Sequence, residues 1–138
     1  MTRERAQTLA DFRRIAAAFA ATLRPGDAVG LEGDLGSGKT TFIRAAVAAL
    51  QGVDPVSSPT FTFRHRYPGP PPVDHLDLFR LERPSEAVEL GLDEAFSADA
   101  IAFVEWPERL PRLLPPDAVR VTIRGSGDAP RDITIERA

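Results

Sequence analysis

The chain of 138 residues contains no cysteine, which excludes disulfides, thiolate metal sites and a cysteine nucleophile. No apolar run approaches the roughly eighteen residues that a membrane-spanning helix needs. The start, Thr2-Arg3-Glu4-Arg5, is charged and leads into mixed sequence in place of an apolar signal core, so a cytoplasmic protein is expected. Basic charge is also in short supply. The net charge of −3 argues against a domain that holds nucleic acid unaided, because such domains usually carry a basic excess. There are two histidines, and neither has the serine partner of a nucleophilic triad. What is present is ordinary for a soluble globular protein, with 43% apolar and 27% charged residues. The length suits one domain over residues 1–138, with a single core.

Lysine is the most informative scarcity. Lys39 is the only one, and the other sixteen basic residues are arginine. It falls within Gly33-Asp34-Leu35-Gly36-Ser37-Gly38-Lys39-Thr40, which fits the phosphate-loop pattern G-x-x-x-x-G-K-[ST]. A compact ammonium group reaches between two phosphates where a planar guanidinium fork does not fit. Four fixed positions match by accident in roughly one chain of this size in a few hundred, so the setting matters. Ala28 to Glu32 reads as a buried strand feeding the glycine loop, and alanine-rich Thr41 to Leu50 reads as a helix stopped by Gly52. Strand, glycine loop and helix in this order turn the match into a structural expectation.

Around that unit, Thr8-Leu9-Ala10-Asp11 fits a helix cap, and Leu9, Phe12, Ile15, Ala16, Phe19 and Leu23 continue at helical spacing up to Pro25-Gly26. Thr60 to Tyr67 alternates as a strand, Pro68 to Pro72 breaks it, and Val73 to Leu78 resumes an extended pattern, as in a hairpin with a five-residue loop. Ser85 to Leu90 reads as a short helix closing at Gly91. Ala100 to Val104 is continuously apolar, as a fully buried strand is, and ends in Glu105. Val119 to Ile123 and Ile133 to Ile135 read as an edge hairpin around a Gly-Ser-Gly-Asp turn.

The loop amides converge on one point, reinforced by the positive end of the following helix. Lys39 is expected at the β and γ phosphates, Thr40 on Mg²⁺ and Thr41 at the α phosphate. A magnesium nucleotide also needs an acid at the C-terminal end of a neighbouring strand, and Glu105 and Asp77 both qualify. Which of them positions the attacking water and which the metal shell is left open by the residues alone. Ser58 and Thr60, in Ser57-Ser58-Pro59-Thr60, are candidate γ-phosphate sensors or a plain turn. Trp106 is either core or a packing surface for nucleotide or partner. Arg64 and Arg66 share a strand face that is either an RNA contact or a soluble edge. His75 reads as structural.

Gly33 to Phe42, Ser58-Pro59-Thr60-Phe61-Thr62, His75-Leu76-Asp77-Leu78-Phe79-Arg80-Leu81 and Val104-Glu105-Trp106-Pro107 together closely resemble the bacterial TsaE (YjeE) ATPase family. Glu89-Leu90-Gly91-Leu92 and the Thr8 helix entry fit as well, so the likeness covers nearly the whole chain. Phe12 departs from it, standing where the family often has glycine. The resemblance implies an α/β fold, a P-loop NTPase three-layer sandwich whose mixed central sheet is flanked by helices. It implies ATP and Mg²⁺ as ligands, metal ligation by Thr40 and Glu105, an essential acid at Asp77 and a nucleotide contact from Thr8. It further implies a role in threonylcarbamoyladenosine modification of tRNA next to the anticodon, with a TsaD–TsaB-like pair as partner and tRNA reached through that pair. A small-molecule or nucleotide kinase and a non-hydrolysing ATP-dependent assembly module are the competing readings of the same loop.

Overall fold

The computed structural model describes residues 1–54, 63–89, 91–92 and 96–137. Its strands and helices follow in the order β1 (Thr2–Ala6), α1 (Leu9–Ala20), β2 (Ala28–Glu32), α2 (Lys39–Gln51), β3 (Arg64–Tyr67), β4 (Val73–Asp77), α3 (Ser85–Glu89), β5 (Ile101–Glu105), β6 (Val119–Arg124) and β7 (Arg131–Glu136). The strands form one seven-stranded sheet in the order β1-β7-β6-β2-β5-β4-β3. Its centre, β6-β2-β5-β4, is parallel, while β3, β7 and β1 add antiparallel at the flanks. The sheet is therefore mixed, as expected.

The continuous apolar runs become the central strands because both of their faces are covered. Val29, Leu31, Ile101, Phe103, Val121 and Ile133 face one core with Phe12, Ile15 and Phe19 of α1 and Phe42, Ile43 and Val47 of α2. Leu76, Leu78, Ala102 and Val104 face the other, with Ala87 of α3 and Leu114 from the proline-rich stretch. Two full helices thus cover one side, and a thinner layer of short turns covers the other.

Three boundaries differ from the sequence reading. Helix α1 ends at Ala20, short of Pro25, as Thr22 turns its hydroxyl onto the Phe19 carbonyl at 2.7 Å and Leu23 N–H bonds Ala20. Leu23 still reaches the core from outside the helix. The charged N-terminal segment is a strand, pairing Thr2 to Ile135 and Ala6 to Arg131. The C-terminal hairpin β6–β7 is consequently one strand in from the edge. The β3–β4 hairpin does have the expected five-residue connection, with Tyr67 opposite Val73. The Thr60 to Thr62 start of the expected strand lies outside the described residues.

Candidate nucleotide site

Strand β2 delivers the chain to Gly33, and the next five residues wrap into a tight loop before α2. Ser37 N–H closes it on the Asp34 carbonyl at 3.0 Å. A Cβ at Gly33 would meet Ser37 Oγ at 2.6 Å and the Ile123 carbonyl at 2.7 Å, so only glycine lets the loop pack against β6. Gly38 caps α2 at φ 105°, a left-handed conformation that a side chain resists. Lys39, the first residue of α2, is 4% exposed. Its ammonium donates to the carbonyls of Gly33 at 2.5 Å and Asp34 at 3.1 Å, and lies 4.2 Å from the centroid of the Trp106 ring. Burial lowers its pKa from the usual 10.5, partly opposed by Glu105, Glu108, Asp77 and Asp34.

The acids meet this loop from the neighbouring strands. Glu105 ends β5 and is 3% exposed. Thr40 Oγ1 lies 3.1 and 3.0 Å from its two carboxylate oxygens, although 65 residues separate them in sequence. His75 Nε2 stands 2.5 Å from Oε2 of the same carboxylate. Asp77 ends β4 directly opposite Glu105 in register, and its Oδ1 accepts the Phe79 N–H at 3.0 Å. The residues fit Mg²⁺: a hydroxyl and a carboxylate are the hard oxygen donors it takes, and it normally completes its shell with water and phosphate. No group of three or more His, Cys, Asp or Glu able to hold a metal on its own occurs among the described residues.

Two cavities meet at the loop. One of about 220 Å³ runs from Leu35 past Lys39 and Thr40 to Asp77, Glu105 and Trp106. The other, about 390 Å³, is bounded by Thr8, Phe12, Ser37, the Gly127–Ala129 turn and Arg131. Gly38 and Thr41 line both. Thr8 reaches that second cavity because it caps α1, its Oγ1 accepting the Asp11 N–H at 3.0 Å, a contact that stabilises such a helix by about 1 kcal/mol. Phe12 packs edge-on to Phe42 at 5.7 Å and flanks Gly38, so it sits under the loop.

Every expected loop residue from Gly33 to Thr41, with Thr8, Asp77, Glu105 and Trp106, is therefore gathered at one end of the sheet. Ser58 and Thr60 lie outside the described residues. Trp106 adopts φ 60° where β5 gives way to a 3₁₀ turn, and its ring packs on Phe79 at 5.1 Å. Arg64 and Arg66 lie on β3, the edge strand of the sheet, as the soluble-edge reading expects. Both hold the fully buried Asp74, at 3.0 and 2.7 Å.

Two residues carry more than the sequence suggested. His75, read as structural, touches Glu105 directly, while its Nδ1 is buried without a hydrogen-bond partner among the described residues. Its ring stacks on His65 at 5.3 Å. His65 is in turn held below the usual pKa of 6.5, chiefly by burial and then by His75. Arg131 carries no local signal, yet it reaches across 94 residues to donate to the Ser37 carbonyl at 2.9 Å.

A parallel-centred α/β sheet with a glycine loop running into a helix, and acids at adjacent strand tips, defines the P-loop nucleotide-binding class. A family model described as "Threonylcarbamoyl adenosine biosynthesis protein TsaE" matches residues 6–133. The chain belongs to the TsaE family. It is 42% identical over 123 residues to the Bacillus subtilis (strain 168) "tRNA threonylcarbamoyladenosine biosynthesis protein TsaE", covering 88% of this chain and 77% of the relative. A Rickettsia bellii protein of the same description is 41% identical over 114 residues, covering 81% and 78%. The solved structure described as "Crystal structure of Bacillus subtilus YdiB" superposes with a TM-score of 0.80 at 33% identity, covering 99% of this chain and 84% of that one. No helix among the described residues is long and apolar enough to cross a membrane.

Proposed function

We propose that this protein is a cytoplasmic ATPase that binds and hydrolyses Mg²⁺-ATP in support of threonylcarbamoyladenosine formation on tRNA, next to the anticodon. The observation that carries the reading is the Thr40 hydroxyl meeting both oxygens of Glu105 beside the Lys39 loop, at 3.0 and 3.1 Å. Family membership supplies the pathway. In this reading the amides of Gly36 and of Gly38 to Thr41, with the Lys39 ammonium, take the polyphosphate, with Asp34 and Leu35 at the loop tip. Thr40 and Glu105 would hold Mg²⁺, which would supply positive charge against the charge developing on the γ phosphate. Asp77 keeps its second carboxylate oxygen for the attacking water, Thr8 and Trp106 contact the nucleotide, and Ser58 and Thr60 sense the γ phosphate. The partner is a TsaD–TsaB-like pair, through which tRNA is reached. The isolated chain turns over slowly and is stimulated in complex.

Calorimetric titration with ATP, with and without Mg²⁺, tests the binding step, and phosphate release with and without the partner pair tests hydrolysis. Wild type is expected to bind ATP, and Lys39→Ala is expected not to. Transfer of the γ phosphate to an acceptor would favour a kinase. Full modification activity by a Glu105→Ala protein that cannot hydrolyse ATP would favour a non-hydrolysing assembly module.

A further inference from the structure

Arg131 opens β7 and contacts three walls of the larger cavity at once. Its Nε donates to the Ser37 carbonyl at 2.9 Å, and one terminal nitrogen lies 3.5 Å from the Gly36 carbonyl. The same nitrogen donates to the Gly127 carbonyl at 3.1 Å, within the β6–β7 turn. Its backbone pairs with Ala6, two residues before the Thr8 cap. The guanidinium is partly enclosed and lines the cavity itself.

The peptide geometry gives this contact a direction. The Ser37 carbonyl and the Gly38 N–H belong to one peptide unit and point opposite ways. Holding that carbonyl toward β7 turns the Gly38 N–H away from β7, and Gly38 itself lines both cavities. The Ser37 N–H is already committed to the Asp34 carbonyl. Gly38 is therefore the amide whose aim the arginine controls. A cation donating to the carbonyl also polarises the peptide and makes its N–H a better donor. Gly38 sits at φ 105° and Gly36 at φ 83°, so the loop has few local restraints against turning these peptides over.

We propose that Arg131 is a positioning residue for anion binding: it locks the Ser37–Gly38 peptide with its N–H facing the polyphosphate, and fastens the β6–β7 turn to the phosphate loop as a wall of the nucleotide pocket. This rests on the nucleotide-binding reading above. Lysine cannot replace it, since only a fork reaches both the loop carbonyl and the turn carbonyl.

The test uses the full chain, with ADP and inorganic tripolyphosphate as probes, in calorimetric titrations of wild type, Arg131→Ala and Arg131→Lys, and with melting temperatures measured alongside. Arg131→Ala is expected to weaken both probes by about tenfold or more, as losing charge-assisted hydrogen bonds does. Arg131→Lys is expected to weaken both several-fold with little change in melting temperature. With partner-stimulated hydrolysis as readout, KM for ATP should rise while kcat at saturation stays near wild type. A wild-type chain that binds neither probe overturns the nucleotide reading itself. Wild type binding both probes, with Arg131→Lys binding them equally well, overturns the role of Arg131 alone, whether or not Arg131→Ala folds. Loss of ADP affinity with tripolyphosphate unaffected also overturns it, because the arginine would then serve only the base side of the pocket.

Discussion

Glu105 and Asp77 stand opposite each other on adjacent parallel strands, both at the strand tip and both lining the same cavity. Their surroundings differ. Glu105 is 3% exposed and engaged by Thr40 and His75. Asp77 is half-buried and bonded to the Phe79 N–H through one oxygen. One carboxylate is held by its neighbours through both oxygens, while the other accepts the Phe79 N–H through a single oxygen. Register alone makes the two acids equivalent, and the side chains packed behind them set them apart. A fixed carboxylate suits a metal, whose geometry tolerates little drift, and a half-open one suits a water that must be turned and moved.

The largest expected effect comes from Glu105→Gln. The amide keeps the shape and a contact to Thr40 but removes the charge that a divalent cation needs. Partner-stimulated hydrolysis should fall by at least about a hundredfold, and Mg²⁺ should cease to strengthen ATP binding. Next is Asp77→Asn. It should lower kcat by about a hundredfold while leaving the Kd for Mg²⁺-ATP near wild type, as the water-positioning role proposed for this side chain requires. Equal losses of Mg²⁺-dependent affinity in the two variants would erase the distinction between the acids.

The distinction was half legible in the sequence. The loop was readable because its determinants are local: three glycines, one lysine and the strand and helix either side of them. Glu105 was readable as a candidate because an uninterrupted apolar run announces a strand buried on both faces. What separates it from Asp77 was not readable. Thr40 and His75 lie 65 and 30 residues from Glu105, and only strand order brings them together. The same holds for Arg131, whose partners at Gly36 and Ser37 are reached through two hairpin strands. Strand β1 was missed for a different reason. An edge strand needs few apolar side chains and benefits from charge that discourages further pairing, so Thr2-Arg3-Glu4-Arg5 gave no strand signal. The edge position of Arg64 and Arg66 was readable, but their partner Asp74, a buried acid across the hairpin, was not.

The layer behind Glu105 offers two finer tests. His75→Leu removes the donor to Oε2 and should weaken the apparent Mg²⁺ affinity by roughly tenfold, with ATP binding in the absence of metal unchanged. His75→Gln, which can return a donor, should recover part of that loss. An effect of the same size on metal-free binding would mean that the histidine supports the loop and not the carboxylate.

The smallest effect is expected one ring further back, at His65, whose pKa is lowered from 6.5 first by burial and then by the His75 ring stacked on it. Between the lowered value and 6.5 the unfolded chain binds more protons at this position than the folded one, so stability falls as pH drops through that window and is undiminished above it. His65→Thr suits the strand and removes the titration. Its melting temperature should therefore fall less than that of wild type on going from neutral pH to below the lowered value, with the two curves parallel above 6.5. Because His65 stacks on the far side of His75 and does not line the cavity, the variant should leave kcat at neutral pH nearly unchanged. A large fall in kcat would extend the fixed surroundings of Glu105 by one residue and make the contrast with Asp77 sharper still.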